Sequence, residues 1–226
     1  MARDMDKDTL QNFIAKNVAT LIDGGLVNLG IGLPTRVPNF LPEGANLILH
    51  SENGFVGIGP SPKGVDDPLY DPHISNAGGL PSSITIDGAF FDSNVSFGIV
   101  RGGHLKATVL GALQVDKDGN LANYMIPGKM VPGMGGAMDL VTGAELVIVA
   151  MEHTQKGSLK ILNECSLPLT GKKCVDWIVT EMGVIKVTEK GLLLTKKNKD
   201  YTVEEIQAAI EPKLMVAETL EEMLEL

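Results

Sequence analysis

Short apolar runs, each followed by a loop rich in glycine or proline, constrain this chain of 226 residues more than any other feature of its sequence. The runs are rich in valine, isoleucine and leucine and do not alternate strictly with polar residues. Strands of that composition are buried on both faces, as in a parallel sheet covered by helices. The sequence therefore predicts an α/β fold with a mostly parallel sheet flanked by helices. The predicted strands are residues 26–29, 47–49, 84–86, 107–115, 146–151 and 191–195.

Helices are predicted between these strands and near both ends of the chain. Residues 6–23 carry apolar side chains at helical spacing, and Gly24-Gly25 closes that helix. Thr202 and Glu205 have the spacing of a capping box, which opens a helix through about Ile210. Further helices are predicted at residues 93–100, at residues 174–182 and from Ala137 onward.

The chain shows no internal repeat, no Ser/Gly linker and no sharp change in composition. A single domain is therefore predicted over residues 1–226, with its core at about 8–212. The acidic tail, residues 217–226, carries four glutamates and no basic residue. This tail is expected to form one weak amphipathic turn or a frayed end.

Composition and charge exclude several classes of function. The formal net charge is −9 and aromatic residues make up 4% of the chain, whereas a nucleic-acid-binding protein needs a basic surface and stacking side chains. The chain has no run of about 18 apolar residues, and its charged N-terminus lacks the apolar segment of a signal peptide. A soluble, cytoplasmic protein is expected, with neither a membrane nor a nucleic acid as partner.

The histidines and cysteines do not predict a metal site. The four histidines are scattered and show no paired ligand spacing. Cys165 and Cys174 lack the C-x-x-C spacing, and two reduced thiols are expected because a chain of this size needs no disulfide.

Three glycine-rich clusters follow predicted strands, where ligands bind in parallel sheets. The first, Gly30-Ile31-Gly32-Leu33-Pro34-Thr35, matches a dinucleotide-binding fingerprint only in part, because Thr35 replaces its third glycine. It is interpreted either as a tight strand-to-helix turn or as a ligand loop.

The second cluster places Glu52 at the end of an apolar strand, before the glycines and proline of residues 53–60. A partly desolvated carboxylate in that position can act as a general base or as a covalent nucleophile. The alternative is a structural acid that caps a helix or pairs with an arginine. The third cluster, residues 127–139, precedes a predicted helix, and its glycines suit an oxyanion hole built from backbone N–H groups.

Taken in order, these clusters and several shorter motifs resemble the beta subunit of the family I 3-oxoacid CoA-transferases. The resemblance covers roughly Leu10 to Tyr201. It implies the CoA-transferase fold, which is similar to that of sugar-phosphate isomerases. The motifs are Val27-Asn28-Leu29-Gly30-Ile31-Gly32-Leu33-Pro34, Ser51-Glu52-Asn53-Gly54, Arg101-Gly102-Gly103-His104, Leu110-Gly111-Ala112-Leu113-Gln114-Val115, Met125-Ile126-Pro127-Gly128-Lys129-Met130, Gly133-Met134-Gly135-Gly136-Ala137-Met138-Asp139-Leu140, Met151-Glu152-His153 and Cys165-Ser166-Leu167-Pro168-Leu169-Thr170-Gly171.

The resemblance implies that Glu52 is the nucleophile of a ping-pong reaction. Its carboxylate would form an acyl-glutamyl anhydride and then a glutamyl-CoA thioester, which moves CoA between short-chain acids such as acetate, butyrate and acetoacetate. Coenzyme A would be a substrate, and neither a metal nor a permanently bound cofactor is implied.

Further site residues follow from the same resemblance. The backbone N–H of Gly136 would stabilise the oxyanion, with Gly135 beside it. Asn28 corresponds to a position near CoA, whereas Gly79 stands where other members have a lysine that contacts CoA. The remaining substrate- and CoA-binding residues implied are Gly30, Gly32, Asn53 and Gly54.

The family also has an alpha subunit that supplies much of the acyl-CoA site. The resemblance therefore implies that this chain is inactive alone and works as an alpha–beta unit, paired into a heterotetramer. Two other functions stay open on the sequence: an acyl-CoA hydrolase that uses the same glutamate, and a non-catalytic α/β ligand-binding module.

Overall fold

The computed structural model describes residues 5–42, 44–131 and 133–226. A ten-stranded sheet lies at its centre, accompanied by a three-stranded and a two-stranded sheet. The strands are β1 (Gly25–Leu29), β2 (Leu47–Ser51), β3 (Phe55–Ile58), β4 (Ile84–Phe90), β5 (Ala107–Leu110), β6 (Gln114–Asp116), β7 (Leu121–Ala122), β8 (Val147–Ala150), β9 (Thr154–Gln155), β10 (Ser158–Leu159), β11 (Ile161–Leu162), β12 (Trp177–Val179), β13 (Gly183–Thr188), β14 (Gly191–Lys197) and β15 (Leu214–Glu222).

The large sheet has the strand order β15-β14-β13-β12-β8-β5-β1-β2-β3-β4. Its five middle strands, from β12 to β2, are all parallel, and so is the β14–β15 pair. The remaining pairs, on either side of the middle strands, are antiparallel. All four residues of β5 and of β8 are buried, which explains their continuous apolar character.

Helices cover both faces of the sheet, as the apolar runs predict. Residues of α1 pack in one buried cluster, and residues of α2, α3 and α4 pack in the other. The α/β fold with a largely parallel sheet flanked by helices is confirmed. The helices are α1 (Lys7–Ala19), α2 (Ser93–Arg101), α3 (Ala137–Gly143), α4 (Val203–Ala208) and a short 3-10 helix (Leu33–Phe40).

The helix ends follow local sequence signals. Asp6 accepts hydrogen bonds from backbone N–H groups at the start of α1, and Asp92 does the same for α2. The predicted capping box of α4 is confirmed, because the Thr202 side chain accepts from the Glu205 N–H and the Glu205 side chain accepts in return.

Residues 84–86 form a strand as predicted, but the prediction that this strand is buried and parallel is wrong. The segment belongs to β4, which pairs antiparallel with β3 and forms one edge of the sheet. The Ile86 side chain is 98% exposed. A β-branched composition favours a strand but does not distinguish an edge strand from a central one.

The single strand predicted at residues 107–115 is in fact two strands. β5 ends at Leu110, and after Gly111 the chain enters β6, which belongs to the three-stranded sheet β11-β6-β7. The apolar character continues because both strands are buried, so hydropathy alone does not show the break.

The helix predicted at residues 174–182 is wrong. This segment contains β12, which pairs parallel with β8 and antiparallel with β13. A short apolar run fits either a strand or a buried helix turn. Strand pairing with β8 and β13 decides between them here, and neither partner is evident locally.

The expectation of a turn or frayed end for the acidic tail is wrong for residues 217–222. These residues belong to β15, which runs parallel to β14. Lysines offset the acidic side chains: Lys196 pairs with Glu221 at 3.1 Å, and Lys199 pairs with Glu225. Beyond the strand, the Met223 side chain is 6% exposed and belongs to the buried cluster around α1.

Helices in the described part of the chain include none that is both long and apolar enough to cross a membrane.

Asn17 joins α1 to the C-terminal segment. Its fully buried side chain donates to the carbonyls of Phe13 at 2.9 Å and Leu224 at 3.0 Å, and accepts from the Leu224 N–H at 2.9 Å. We predict that Asn17→Ala lowers the free energy of unfolding by about 1–3 kcal/mol, because the N–H and the carbonyl of Leu224 lose their hydrogen bonds to the buried amide. Urea unfolding measures the change. Lys7→Ala, at an exposed position of the same helix, serves as control, and an equal effect of both substitutions would contradict the prediction.

Candidate active site

A cleft opens where β1, β2 and β5 end, at the carboxyl edge of the parallel strands. It encloses about 500 Å3 and is called the Glu52 cleft below. Chain segments that follow all three strands line it, together with the glycine-rich loop before α3. Its lining includes Gly30, Ile31, Glu52, Ala77, Gly111 and Gly135.

Glu52 occupies the tight turn between the antiparallel strands β2 and β3. The turn depends on Gly54, whose φ is +135°. A Cβ atom at this position would lie 2.4 Å from the Phe91 carbonyl oxygen, so a larger residue would displace the turn. Gly54 therefore supports the position of Glu52 from behind and does not line the cleft.

Asn28 is the direct partner of the Glu52 side chain. Its Nδ2 donates to Glu52 Oε2 at 2.9 Å and also lies 3.3 Å from the His50 carbonyl oxygen. The contact arises from the parallel register, in which Asn28 of β1 lies opposite His50 of β2. Asn28 is fully buried, so its amide has a fixed orientation.

His50 lies beneath this contact as a neutral group. Burial lowers the pKa of the imidazole to about 4, so that the ring carries no charge at pH 7. Its Nε2 lies 3.0 Å from Ser96 Oγ, and its Nδ1 lies 3.4 Å from Asn28 Nδ2. Asn28 stands between the imidazole and Glu52, and the site gains no positive charge from His50.

Gly136 lies directly against Glu52. A Cβ atom on Gly136 would be 3.3 Å from Glu52 Cγ and 3.1 Å from the Phe97 ring. Gly136 is also the N-cap residue of α3, at the end of the glycine-rich loop. Gly135, with φ +52°, lines the cleft beside it. Gly136 and Glu52, which are 84 positions apart in the sequence, thus form one surface.

The structure separates the other predicted site residues into two groups. Gly30 lines the cleft, and its N–H donates to the Val109 carbonyl at 2.8 Å. Gly32 adopts φ +85° at the start of the 3-10 helix and lies outside the cleft lining. Asn53 is exposed, and its Nδ2 donates to the Ser75 carbonyl at 2.8 Å. Gly32, Asn53 and Gly54 therefore have structural contacts, whereas Gly30 and Gly135 face the cleft.

The Glu52 carboxylate is free of the structural roles considered as alternatives. Among residues 5–42, 44–131 and 133–226, it makes no salt bridge with a basic side chain and caps no helix. Sequence reasoning missed its contact with Asn28, because a register between strands leaves no local signal.

Other reactive groups lie away from the cleft. Both cysteines are free, and burial raises the pKa of Cys165 to about 12 and that of Cys174 to about 11, so neither is a thiolate at neutral pH. Within the described residues, no group of three or more His, Cys, Asp or Glu side chains is placed to hold a metal ion.

Comparison with known proteins identifies the family. The family model described as Coenzyme A transferase matches residues 12–209. The chain is 50% identical over 215 residues to the beta subunit of acetate CoA-transferase from Haemophilus influenzae. This alignment covers 94% of this chain and 95% of that protein. It is 44% identical over 222 residues to the mitochondrial succinyl-CoA:3-ketoacid coenzyme A transferase 2A of Rattus norvegicus, covering 96% of this chain and 42% of that protein.

Solved structures share the fold at low sequence identity. An acyl-CoA transferase apoenzyme from Escherichia coli O157:H7 superposes with a TM-score of 0.75 at 20% identity, over 96% of this chain and 43% of that chain. Glutaconate coenzyme A-transferase from Acidaminococcus fermentans gives a TM-score of 0.71 at 18% identity, over 96% of this chain and 89% of that chain. With the family match and the 50% identity to a beta subunit, these findings show that the chain belongs to the coenzyme A transferase family and is part of a CoA-transferase.

Proposed function

We propose that this chain is the beta subunit of an enzyme that moves CoA between short-chain carboxylic acids, with Glu52 as the covalent nucleophile. The observation that carries the proposal is the Glu52 carboxylate itself. Asn28 holds it at 2.9 Å and Gly136 packs against it, inside a cleft at the carboxyl edge of the parallel strands. Such an edge is where α/β sheets bind ligands.

The first half-reaction begins at the donor thioester. A Glu52 oxygen attacks the acyl carbonyl carbon, the C–S bond breaks, and CoA leaves as a thiolate while an acyl-glutamyl anhydride forms. The thiolate then attacks the glutamyl carbonyl carbon. The bond between the glutamyl carbonyl carbon and the bridging oxygen of the anhydride breaks, so that this oxygen leaves with the acyl group as the first carboxylate and a glutamyl-CoA thioester remains.

The second half-reaction reverses these steps with another acid. The acceptor carboxylate attacks the glutamyl thioester, and the released thiolate attacks the acyl carbon of the new anhydride. Glu52 is regenerated and the acceptor leaves as its CoA thioester. Anhydride and thioester are close in acyl-transfer potential, so ping-pong exchange proceeds without a separate energy source.

Asn28 and His50 prepare the carboxylate for this role. Because Asn28 holds Oε2, Oε1 is the oxygen left to attack. His50 is neutral at pH 7, since burial lowers its pKa to about 4. A cationic imidazole beside Asn28 would stabilise the charge of the Glu52 carboxylate and reduce its nucleophilicity. The neutral ring contacts Asn28 without reducing the nucleophilicity of Glu52.

Gly136 supports the transition state in this proposal. Each tetrahedral intermediate carries an oxyanion next to the Glu52 side chain, and Gly136 of the glycine-rich loop packs against that side chain. One backbone N–H donor in such a position contributes about 3 kcal/mol to transition-state stabilisation.

The relatives guide the choice of substrates and partner. The bacterial relative with 50% identity acts on acetate by its name and is a beta subunit, and the rat relative is named for succinyl-CoA and 3-ketoacids. We therefore propose acetate, butyrate and acetoacetate with their CoA thioesters as substrates. An alpha subunit would complete the site, in an α2β2 assembly.

Glu52→Gln tests the nucleophile. The amide keeps the shape of the side chain but lacks its nucleophilic oxygen, so we expect turnover of the complex with the alpha subunit to fall by about 10⁴-fold or more. Rapid acid quenching of the wild-type complex with acyl-CoA is expected to show a CoA adduct on the Glu52 peptide by mass spectrometry.

Glu189→Gln, an exposed substitution in the turn between β13 and β14, is the matched control and is expected to keep both turnover and adduct. Full turnover by wild type without an adduct at Glu52 would overturn the covalent mechanism. Release of free CoA over many turnovers without a carboxylate acceptor would indicate a hydrolase.

Gly136→Ala tests the contact between Gly136 and Glu52. The added methyl group would lie 3.3 Å from Glu52 Cγ and 3.1 Å from the Phe97 ring, so the carboxylate must shift. We expect kcat to fall by about 10- to 100-fold, because small displacements of reacting groups are costly. Gly98→Ala in α2, where no atom lies within 4 Å of the new Cβ, is the control. Equal kcat values for the two variants would count against a role for Gly136.

The partner prediction is tested by purification. We expect the chain alone to show no measurable transfer between acetoacetyl-CoA and acetate, and activity to appear when the alpha subunit is added. Light scattering of the active mixture is expected to give an α2β2 mass. Full activity of the isolated chain would refute the requirement for a partner.

A further inference from the structure

The motif Arg101-Gly102-Gly103-His104 has no role in the chemistry described above, although the family resemblance rests in part on it. Arg101 is the last residue of α2. Gly102 caps the helix and Gly103 adopts φ +73°, so the chain turns away directly after Arg101. The two glycines therefore explain where α2 ends, but they do not explain why an arginine stands at that end.

Arg101 joins α2 to α3. Its Nε donates to Asp139 Oδ1 at 2.7 Å, and its guanidinium carbon lies 5.5 Å from the centroid of the Phe97 ring. Asp139 belongs to the first turn of α3. At the other end of α3, a Cβ atom on Gly143 would overlap the Val100 carbonyl oxygen, so the two backbones are in close contact there. α2 therefore holds α3 at both of its ends.

Phe97 extends this contact to Gly136. Two carbon atoms of the Phe97 ring would lie 3.1 Å from a Cβ atom on Gly136. The same Cβ atom would lie 3.3 Å from Glu52 Cγ. Arg101, Phe97 and Gly136 thus form a continuous series of contacts that leads from the protein surface to the Glu52 side chain.

The glycine-rich loop before Gly136 contributes little to the position of that residue. Cβ atoms on Gly128, Gly133 and Gly135 would have no heavy atom of the described residues within 4 Å, and all three glycines have positive φ. A segment with so few contacts does not fix the backbone that follows it. The position of Gly136 therefore depends on α2 and α3.

α2 is itself attached to the turn that carries Glu52. Ser96 Oγ, within α2, lies 3.0 Å from His50 Nε2 at the end of β2. The Phe91 N–H, just before α2, donates to the Gly54 carbonyl at 2.9 Å. One helix thus contacts both the Glu52 turn and α3, so it determines the distance between them.

We propose that Phe97 and Arg101 are positioning residues for the backbone of Gly136. They hold it at the distance from Glu52 that stabilisation of the oxyanion requires. This inference rests on the proposed function of Glu52 and Gly136. The side chains of Arg101 and Asp139 are 67% and 31% exposed. Because exposed ion pairs contribute little to the stability of a fold, loss of this pair is expected to change turnover far more than folding.

Substitution of either residue is expected to act on the transition state. An oxyanion exists only during the reaction, so a displaced donor lowers kcat and leaves KM for the acyl-CoA unchanged. In the complex with the alpha subunit, we expect Arg101→Ala and Phe97→Leu each to lower kcat by about 10-fold. The rate of adduct formation at Glu52, measured by rapid acid quenching, is expected to fall with kcat. The midpoint of thermal unfolding of Arg101→Ala is expected to stay close to that of the wild type.

Two further variants separate this role from a general effect of lost surface charge. Arg101→Lys keeps a cation opposite Asp139 and over the Phe97 ring, so we expect it to recover most of the lost kcat. Lys196→Ala removes another surface ion pair, the 3.1 Å contact with Glu221 between β14 and β15. This control is expected to keep the kcat of the wild type.

A double-mutant cycle tests whether Arg101 acts through Gly136. Gly136→Ala already displaces the contact that Arg101 supports. In that background we therefore expect Arg101→Ala to lower kcat by about twofold or less, compared with about 10-fold when it is the only substitution. Equal fold-changes in the two backgrounds would show that the residues act independently and would overturn the proposal.

Two other results would also overturn it. In the first, Arg101→Ala and Phe97→Leu both keep the kcat of the wild type. In the second, they raise KM for the acyl-CoA and leave kcat unchanged, which would assign them to substrate binding. Either result with an intact wild-type adduct at Glu52 rejects only the positioning role. Absence of that adduct from the active wild-type complex rejects the proposed function as well.

Discussion

The hydrogen bond from Asn28 to Glu52 is the interaction on which the site depends. It joins two neighbouring parallel strands at their carboxyl ends, and it exists because Asn28 and His50 share a register position. The amide donor is fully buried, so it has no competing water. A one-residue slip of either strand would turn Asn28 away from Glu52, because side chains alternate between the two faces of a sheet.

Two glycines, which have no side chain, allow the backbone to approach Glu52 closely. Gly54 allows the chain to turn sharply behind Glu52, and Gly136 allows the loop before α3 to approach it from the other side. A Cβ atom would contact the Phe91 carbonyl oxygen if it were added at Gly54, and the Phe97 ring if it were added at Gly136. The glycine clusters thus give the carboxylate a close shell of backbone, and backbone amides keep their positions better than long side chains do.

The sequence predicts those features whose causes are local or whose burial is uniform. The strands around β5 and β8 are apolar throughout because both faces are covered, and the capping box of Thr202 and Glu205 needs only four residues. The strand character of residues 177–179 was not predictable, since its pairing partners lie elsewhere in the chain. The same holds for the contacts of Glu52 with Asn28 and Gly136. The family resemblance identified these residues as site residues, but the contact with Asn28 and the support from Gly54 emerge only in the structure.

Burial of His50 has a consequence for the range of conditions in which the site can exist. The folded imidazole has a pKa of about 4, whereas an unfolded histidine titrates near 6.5. Acid therefore protonates the unfolded chain first, and stability present above about pH 6.5 is lost as the pH falls towards 4. His153, with a pKa also lowered to about 4 by burial, adds to the effect. The burial that keeps the His50 ring neutral therefore also makes the strand pair beneath Glu52 sensitive to acid.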